Sequence, residues 1–326
     1  MNGHNIGSAA PRVTGSCPVV SVGVPVYNGA NYLARALESI LCQTLEEIEV
    51  IVSDNASTDG TAAICERFAA ADPRVRYFRQ PVNLGAGPNY NFVFGQARGT
   101  YFKWAAHDDY LDPNALARCV AVLDAHDDVV VAYPRVVDVA PEGDVLTTYD
   151  GGAGGRAPRP SDRLLWIWGS RSCGEVFGVI RTDALRRTRL IRDYTDSDRT
   201  LLGELALVGK IHEESSVRFY RCRHDTQSTS AHPNRWERAE WFNPANRNKV
   251  VLSVTRQSLH LVAAVAAARL PVAERMGCFY QIARLIKWSL PAHRGELAWA
   301  CRRGWQLTRE RLRSHRLVPH PRPPRG

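Results

Sequence analysis

At 326 residues, 44% hydrophobic and 23% charged, the chain is long enough to bury a sizeable core and too apolar for wholesale disorder. Its net charge of +9 is uneven: residues 232–326 hold 18 Lys and Arg against 5 Asp and Glu, whereas residues 1–231 hold 24 against 28. An acidic front with a basic tail argues against a nucleic-acid-binding core and fits an enzyme whose tail meets something anionic, such as a membrane surface. The opening, "MNGHNIGSAAPRVTGSCP", has no apolar h-region, so no secretory signal is expected and residues 1–17 read as a flexible N-terminus.

The chain then alternates strand and helix patterns. "VVSVGVPVY" (19–27) is β-branched and bounded by prolines, which predicts a buried strand, and "NYLARALESILCQ" (31–43) spaces Leu33, Leu37, Ile40 and Leu41 as a helix. "EVIVSD" (49–54) is a second strand, followed by a helix with Ile64 and Phe68 on one face. "VRYFRQ" (75–80) is a third strand, and "YNFVFGQARG" predicts a short helix ending at Gly99. "TYFKWAA" (100–106) is a fourth strand. Asp112 and Pro113 then predict an N-cap and first helical position for a helix bearing Leu116, Val120 and Leu123. "VVVAY" (129–133) is a fifth strand, 141–162 reads as a loop, and "SVRFYRCRH" (216–224) reads as the last strand. This repetition predicts an α/β fold, a Rossmann-like, mainly parallel sheet flanked by helices, with ligands at the carboxyl ends of its strands.

Beyond residue 231 the pattern changes to a basic helical extension over 232–316 and a disordered-looking tail over 317–326, which leaves 18–231 as the main domain. No apolar run reaches the roughly 20 residues of a membrane span. Trp288, Trp299 and Trp305 stand among "RLIKW", "CRRGW" and "RERLRSHR". Basic amphipathic helices with tryptophan suit peripheral contact with the inner face of a membrane, and packing on the main domain is the competing reading. The eight cysteines include no C-x-x-C pair, which speaks against structural zinc or a disulfide framework and for reduced thiols in a cytosol.

Three polar clusters, "PVYN", "DNASTDGT" and "HDDYLDP", fall where the first, second and fourth strands end. Each alone reads as a cap or turn; Asp54, for one, suits the start of the next helix. Together they converge on one crevice at one edge of the sheet. The run "VSVGVPVYNGANYLARALESILCQT…EVIVSDNASTDGT…NLG…GTYFKWAAHDDYLDP" resembles the N-terminal half of a family 2 glycosyltransferase of the GT-A fold, and the likeness resumes more loosely from Cys173 to His224.

That resemblance implies an inverting transferase that moves a sugar from a UDP- or dTDP-sugar to a hydroxyl acceptor, a glycan, a lipid-linked intermediate or a secondary metabolite, with Mg²⁺ or Mn²⁺. It implies work in cell-envelope polysaccharide synthesis at a cytoplasmic location. Pro25, Tyr27, Asn28 and Asn83 would line the nucleotide pocket, and Asp54 would accept the imide N–H of a pyrimidine through a charge-assisted bond. "AHD" at 106–108 matches the family's D-x-D imperfectly. Asp108 keeps the metal-binding position, Ala106 replaces the first carboxylate, and His107 and Asp109 are the candidates to compensate at the ribose. His224 would complete the metal shell or touch the diphosphate, or is an ordinary loop histidine. In "SDRTLLGELALVGKI", Ser197 replaces the family's Glu and Asp198 is the candidate base, with Asp196 its rival and a helix cap the plain alternative. Lys103 and Arg199 are further candidates to reach phosphate, and "CGEVFG" (173–178) to shape the acceptor pocket.

Two other functions compete. A sugar nucleotidyltransferase would need a glycine-rich basic loop after the first strand, which "PVYNGANY" is not. A non-catalytic nucleotide-sugar-binding protein is kept open by the missing first aspartate. No G-x-G-x-x-G follows the first strand, which speaks against a dinucleotide-binding dehydrogenase.

Overall fold

A computed structural model describes residues 17–170, 172–225, 227, 235–247 and 249–316, with backbone alone for 235–237 and 306–316. The expected flexible start, Cys17 apart, and the tail 317–326 lie outside the described residues.

The first half alternates as expected: β1 (Val20–Val26), α1 (Leu33–Leu41), β2 (Ile48–Asp54), α2 (Thr61–Ala71), β3 (Val75–Arg79), α3 (Ala86–Gly95), β4 (Tyr101–Trp104), the two-residue β5 (Tyr110–Leu111) and α4 (Ala115–Ala125). There follow β6 (Val129–Val139), β7 (Val145–Thr148), α5 (Pro160–Gly169), β8 (Val179–Arg181), α6 (Thr182–Arg186), α7 (Ser197–Val208) and β9 (Lys210–Cys222). The C-terminal part holds α8 (Arg235–Phe242), α9 (Ser253–Ala267), α10 (Val272–Trp288) and α11 (Leu290–Arg316).

The sheet runs β3-β2-β1-β4-β8-β6-β9-β5, with β7 beside β6. Strands β3, β2, β1 and β4 are parallel, as are β6 and β9, whereas β8 pairs antiparallel with both β4 and β6. Every residue of β1 and β2 is buried, because helices cover both faces of a parallel sheet. Gly23 is required where α3 crosses β1: a Cβ there would stand 2.6 Å from Val93 Cγ2 and 2.8 Å from Phe102 Cζ. The close approach sets α3 down on the sheet and carries Asn89 and Tyr90 to the edge where the strands end.

Four local expectations differ from the structure. The helix expected to end at Gly99 ends at Gly95. Asp112 does not cap α4, whose N-cap is Asn114; its carboxylate instead accepts from the Arg218 N–H of β9 at 2.7 Å. The last strand begins at Lys210 rather than 216, and the expected loop 141–162 contains β7 and the start of α5.

The C-terminal helices pack on the domain through a second apolar cluster, in which Leu261, Val265, Cys278 and Ile282 meet Leu164 of α5 and Leu207 of α7. All eight cysteines are free thiols. Among the described residues no helix is long and apolar enough to cross a membrane.

Candidate active site

The ends of β1, β2 and β4 are joined by their own polar side chains. After β1 the chain turns through Asn28 at φ 51°, whose N–H donates to Ser57 Oγ at 2.9 Å and whose Oδ1 accepts from the Thr58 N–H at 2.9 Å. Asparagine tolerates that left-handed backbone, so one residue turns the first loop and ties it to the second. Asn55, just past β2, donates to Asn83 Oδ1 at 2.9 Å and accepts from the Leu84 N–H at 2.8 Å, which fixes the approach to α3.

These loops enclose a cavity of about 580 Å³ at the carboxyl ends of the strands. Pro25, Tyr27, Asn28, Asn83, His107, Asp108, Asp109 and His224 all line it, so eight of the residues singled out in the sequence are brought together. Two are not. Asp54 is fully buried beneath the loops, accepting from the Ser57 N–H at 2.8 Å and the Tyr77 hydroxyl at 3.1 Å, while Asn55 faces the cavity. Asp198 lies in the first turn of α7, also off the lining.

Asp108 and Asp109 differ in character. Burial would raise the Asp108 carboxyl, but the hydrogen bond from His224 and the charges of His107 and His224 hold it below the ordinary value. Asp109 accepts from the Cys222 N–H at 3.0 Å, yet burial, then the charge of Asp108, push its pKa well above the ordinary value. The pair therefore carries its negative charge on Asp108. His224 Nε2 stands 3.0 Å from Asp108 Oδ2, and its ring stacks on Tyr32 with centroids 4.3 Å apart.

The Asp108–His224 pair fits a divalent cation. Carboxylate and imidazole are donor types that such a cation takes, and in this structure the two are hydrogen-bonded to each other at 3.0 Å, so His224 would give up that proton to bind it. Among the described residues no group of three or more such side chains gathers, so the other positions of an octahedron would fall to diphosphate oxygens and water.

Asp198 lies close enough to Tyr90 for its charge to act on that hydroxyl. Tyr90 lines the cavity, and its hydroxyl pKa is pushed up by burial and then by the charges of Asp108, Asp109 and Asp198. The Asp198 carboxyl is itself raised to about 6, by burial first and then by Asp196, against the Arg199 N–H that donates to it at 2.8 Å. Lys103 and Arg199 are occupied elsewhere. The Lys103 ammonium is buried against the carbonyls of Trp104 and Phe177, and the Arg199 guanidinium holds the carbonyls of Ile167, Trp168 and Ser170 at the end of α5.

A family model for glycosyl transferase family 2 matches residues 21–187, half of the chain. The chain belongs to glycosyl transferase family 2. An uncharacterized glycosyltransferase of Rickettsia felis is 39% identical over 111 residues, 34% of this chain and 18% of the relative. The chondroitin synthase of Escherichia coli is 39% identical over 103 residues, 32% of this chain and 15% of the synthase. The aligned part is thus a minor share of those relatives' own length. Among solved structures, S. aureus TarS 1–349 in complex with UDP superposes with a TM-score of 0.59 at 19% identity, covering 82% of this chain and 72% of that one, which shows a common GT-A fold.

In this family 2 chain the cavity also has residues that the sequence reading passed over. Arg221 and Arg223 line it, both anchored on Asp138 of β6, with Arg221 Nε 2.7 Å and Arg223 Nε 2.8 Å from its carboxylate oxygens. Arg221 Nη2 is buried with no partner among the described residues. The signal was available: Arg221 and Arg223 stand two apart in "YRCRH" and so share one face of a strand. Trp241 of α8 lines the cavity as well, so the part of the chain beyond residue 231 contributes to the site.

Proposed function

We propose that this chain transfers a sugar from a UDP- or dTDP-sugar to a hydroxyl acceptor, with inversion at the anomeric carbon and with Mg²⁺ or Mn²⁺ bound. The observation that carries this reading is the Asp108–His224 pair, its donor atoms 3.0 Å apart in the wall of a cavity built from three strand-end loops. TarS was solved with UDP and with UDP-GlcNAc, which supports a uridine nucleotide as donor.

Asp108 and His224 would hold the cation, which when bound neutralises charge on the leaving diphosphate. Tyr27, 39% exposed at the end of β1, offers a ring face to the base, and Asn28 and Asn83 offer polar atoms to base and ribose. Asp54, behind the loops, positions Ser57 rather than touching the base in this arrangement. His107 and Asp109 line the cavity beside Ala106, and they would serve the ribose in place of the missing carboxylate. Arg221, with one N–H group unused, adds positive charge toward the diphosphate. Asp198, with a pKa near 6, is ionised at neutral pH yet basic enough to take the acceptor's proton as it attacks.

The C-terminal helices support peripheral membrane attachment. Val272, Met276 and Tyr280, four residues apart on α10, are 73%, 61% and 63% exposed, and Arg284 lies beside Tyr280 and Trp288. An apolar stripe edged by cations suits an anionic bilayer surface.

Binding tests the donor reading. UDP with Mn²⁺ should raise the melting temperature of the wild type, and Asp108→Ala should remove the Mn²⁺-dependent part. A shift that is the same with Mn²⁺ or with a chelator, in both proteins, would defeat it.

A further inference from the structure

Asp198 stands in the first turn of α7, and the irregular segment from Arg189 to Asp196 leads into that turn. The backbone of this segment is left-handed at Leu190, with φ 55°, and again at Asp196, with φ 63°, the residue from which α7 starts. Left-handed backbone outside glycine costs free energy and persists where surrounding contacts fix it.

The contacts that fix it come from beyond residue 231. Four consecutive residues are each bonded to a side chain of α9. Arg256 Nη2 lies 2.7 Å from Asp193 Oδ1, the Tyr194 hydroxyl lies 3.0 Å from His260 Nδ1, Thr195 Oγ1 donates to Ser253 Oγ at 3.2 Å, and Gln257 Nε2 donates to the Asp196 carbonyl at 3.0 Å. The apolar packing of α9 lies further along, at Leu261 and Val265, so its first two turns are given over to these polar bonds. That end of α9 is itself fixed by α11. Glu296, 3% exposed, accepts from the Val254 and Thr255 N–H groups at 3.0 Å each, a carboxylate at the positive end of a helix.

We infer that α9 positions the base: Arg256, Gln257 and His260 hold residues 193–196 in the one arrangement that starts α7 with Asp198 facing the reaction. The inference rests on Asp198 as the base, proposed above, and gives the C-terminal helices a part in turnover that is separate from any contact with a membrane.

This role has a consequence that a general loss of stability lacks. The groups whose charge bears on Asp198 are Tyr90 of α3, Cys173, and its neighbours Asp196 and Arg199. Among them, Asp196 is the one that α9 bonds directly, and its charge is second to burial in raising the Asp198 carboxyl to about 6. Once 193–196 is released, Asp196 and water move freely beside Asp198, and its pKa falls. Loss of the Arg256 cation through electrostatics alone would raise it instead, so the direction separates the two causes.

The experiment measures Mn²⁺-dependent release of nucleoside diphosphate by the full chain, with kcat and donor KM followed from about pH 5 to 8. Arg256→Ala combined with Gln257→Ala should lower kcat about ten- to hundredfold, the scale of a small misplacement of a reacting group, with donor KM and UDP affinity unchanged. Its acid limb should move from about pH 6 toward the ordinary carboxylate range. Arg256→Lys, which keeps a cation beside Asp193, should retain most of the wild-type kcat and its acid limb. Wild-type kcat in the double variant, or a reduced kcat with the acid limb unmoved or moved upward, would overturn the positioning role. Asp198→Asn is the control: undiminished release by that variant would overturn the base reading, and the inference with it, whereas an inactive Asp198→Asn beside an unaffected double variant would overturn the inference alone.

Discussion

Replacing the candidate base should make the protein more stable and less active, with a pH dependence that identifies the cause. In the native state the Asp198 carboxyl is raised from 3.8 to about 6, by burial first and by Asp196 second. A folded value above the unfolded one means that the native state holds the proton more tightly between those two pH values, so stability falls as pH rises through that window. The cost is absent below about pH 4 and complete above about pH 7. A shift of roughly two units corresponds to about 3 kcal/mol at full ionisation. Asp198→Asn removes the charge and keeps an oxygen to accept from the Arg199 N–H. The variant should therefore gain about 1–3 kcal/mol at pH 8 and nothing near pH 4, read as the difference in urea unfolding free energy at the two pH values. Other titrating groups are common to both proteins and cancel in the difference. Turnover should fall by about 10²–10⁴-fold, the usual worth of a positioned base. A variant no more stable than the wild type at pH 8, or equally stabilised at both pH values, would refute the reasoning.

The same raised value predicts that kcat/KM of the wild type declines as pH falls through about 6; an acid limb nearer 4 would remove Asp198 as the base. Gly23→Ala should destabilise by about 1–3 kcal/mol through overpacking against Val93 and Phe102, and an unchanged urea midpoint would contradict the account of how α3 is set on β1. Met276→Glu with Tyr280→Glu should abolish co-sedimentation with vesicles rich in phosphatidylglycerol while leaving UDP binding intact; undiminished sedimentation would rule out α10 as the contact face.

The parallel half of the fold was legible because its signals are local. Buried β-branched runs such as "EVIVSD" and the spacing of Leu33, Leu37 and Ile40 report their partners through periodicity alone. What was missed depends on residues far apart in sequence. The first half of β9 reads as polar because it carries Glu213 and Glu214, yet Glu213 is paired with Arg135 at 2.5 Å on the adjacent strand. Asp112 looks like a cap until Arg218, 106 residues on, takes its carboxylate. β7, with Val145 and Leu146 exposed on an edge hairpin, has no buried face to write a pattern.

The site divides in the same way. Tyr27, Asn28, Asn83, His107, Asp108, Asp109 and His224 reach the cavity because each sits at or beside the end of an element whose position the pattern gave. Asp54 shares that address, but its side chain turns inward to Ser57 and Tyr77. Arg221 and Arg223 face the cavity because Asp138, more than 80 residues earlier, anchors both. No local feature of the sequence marks Asp138 as that anchor.

The measurement that bears most directly on the central claim is release of nucleoside diphosphate from UDP- and dTDP-sugars, followed by NMR with Mn²⁺ present and no acceptor added. The account predicts slow release of nucleoside diphosphate by the wild type from at least one donor, abolished by a chelator and by Asp108→Ala. Tight, Mn²⁺-dependent binding of the same donors with no release, even when acceptor glycosides are supplied, would contradict it and make the chain a nucleotide-sugar-binding protein.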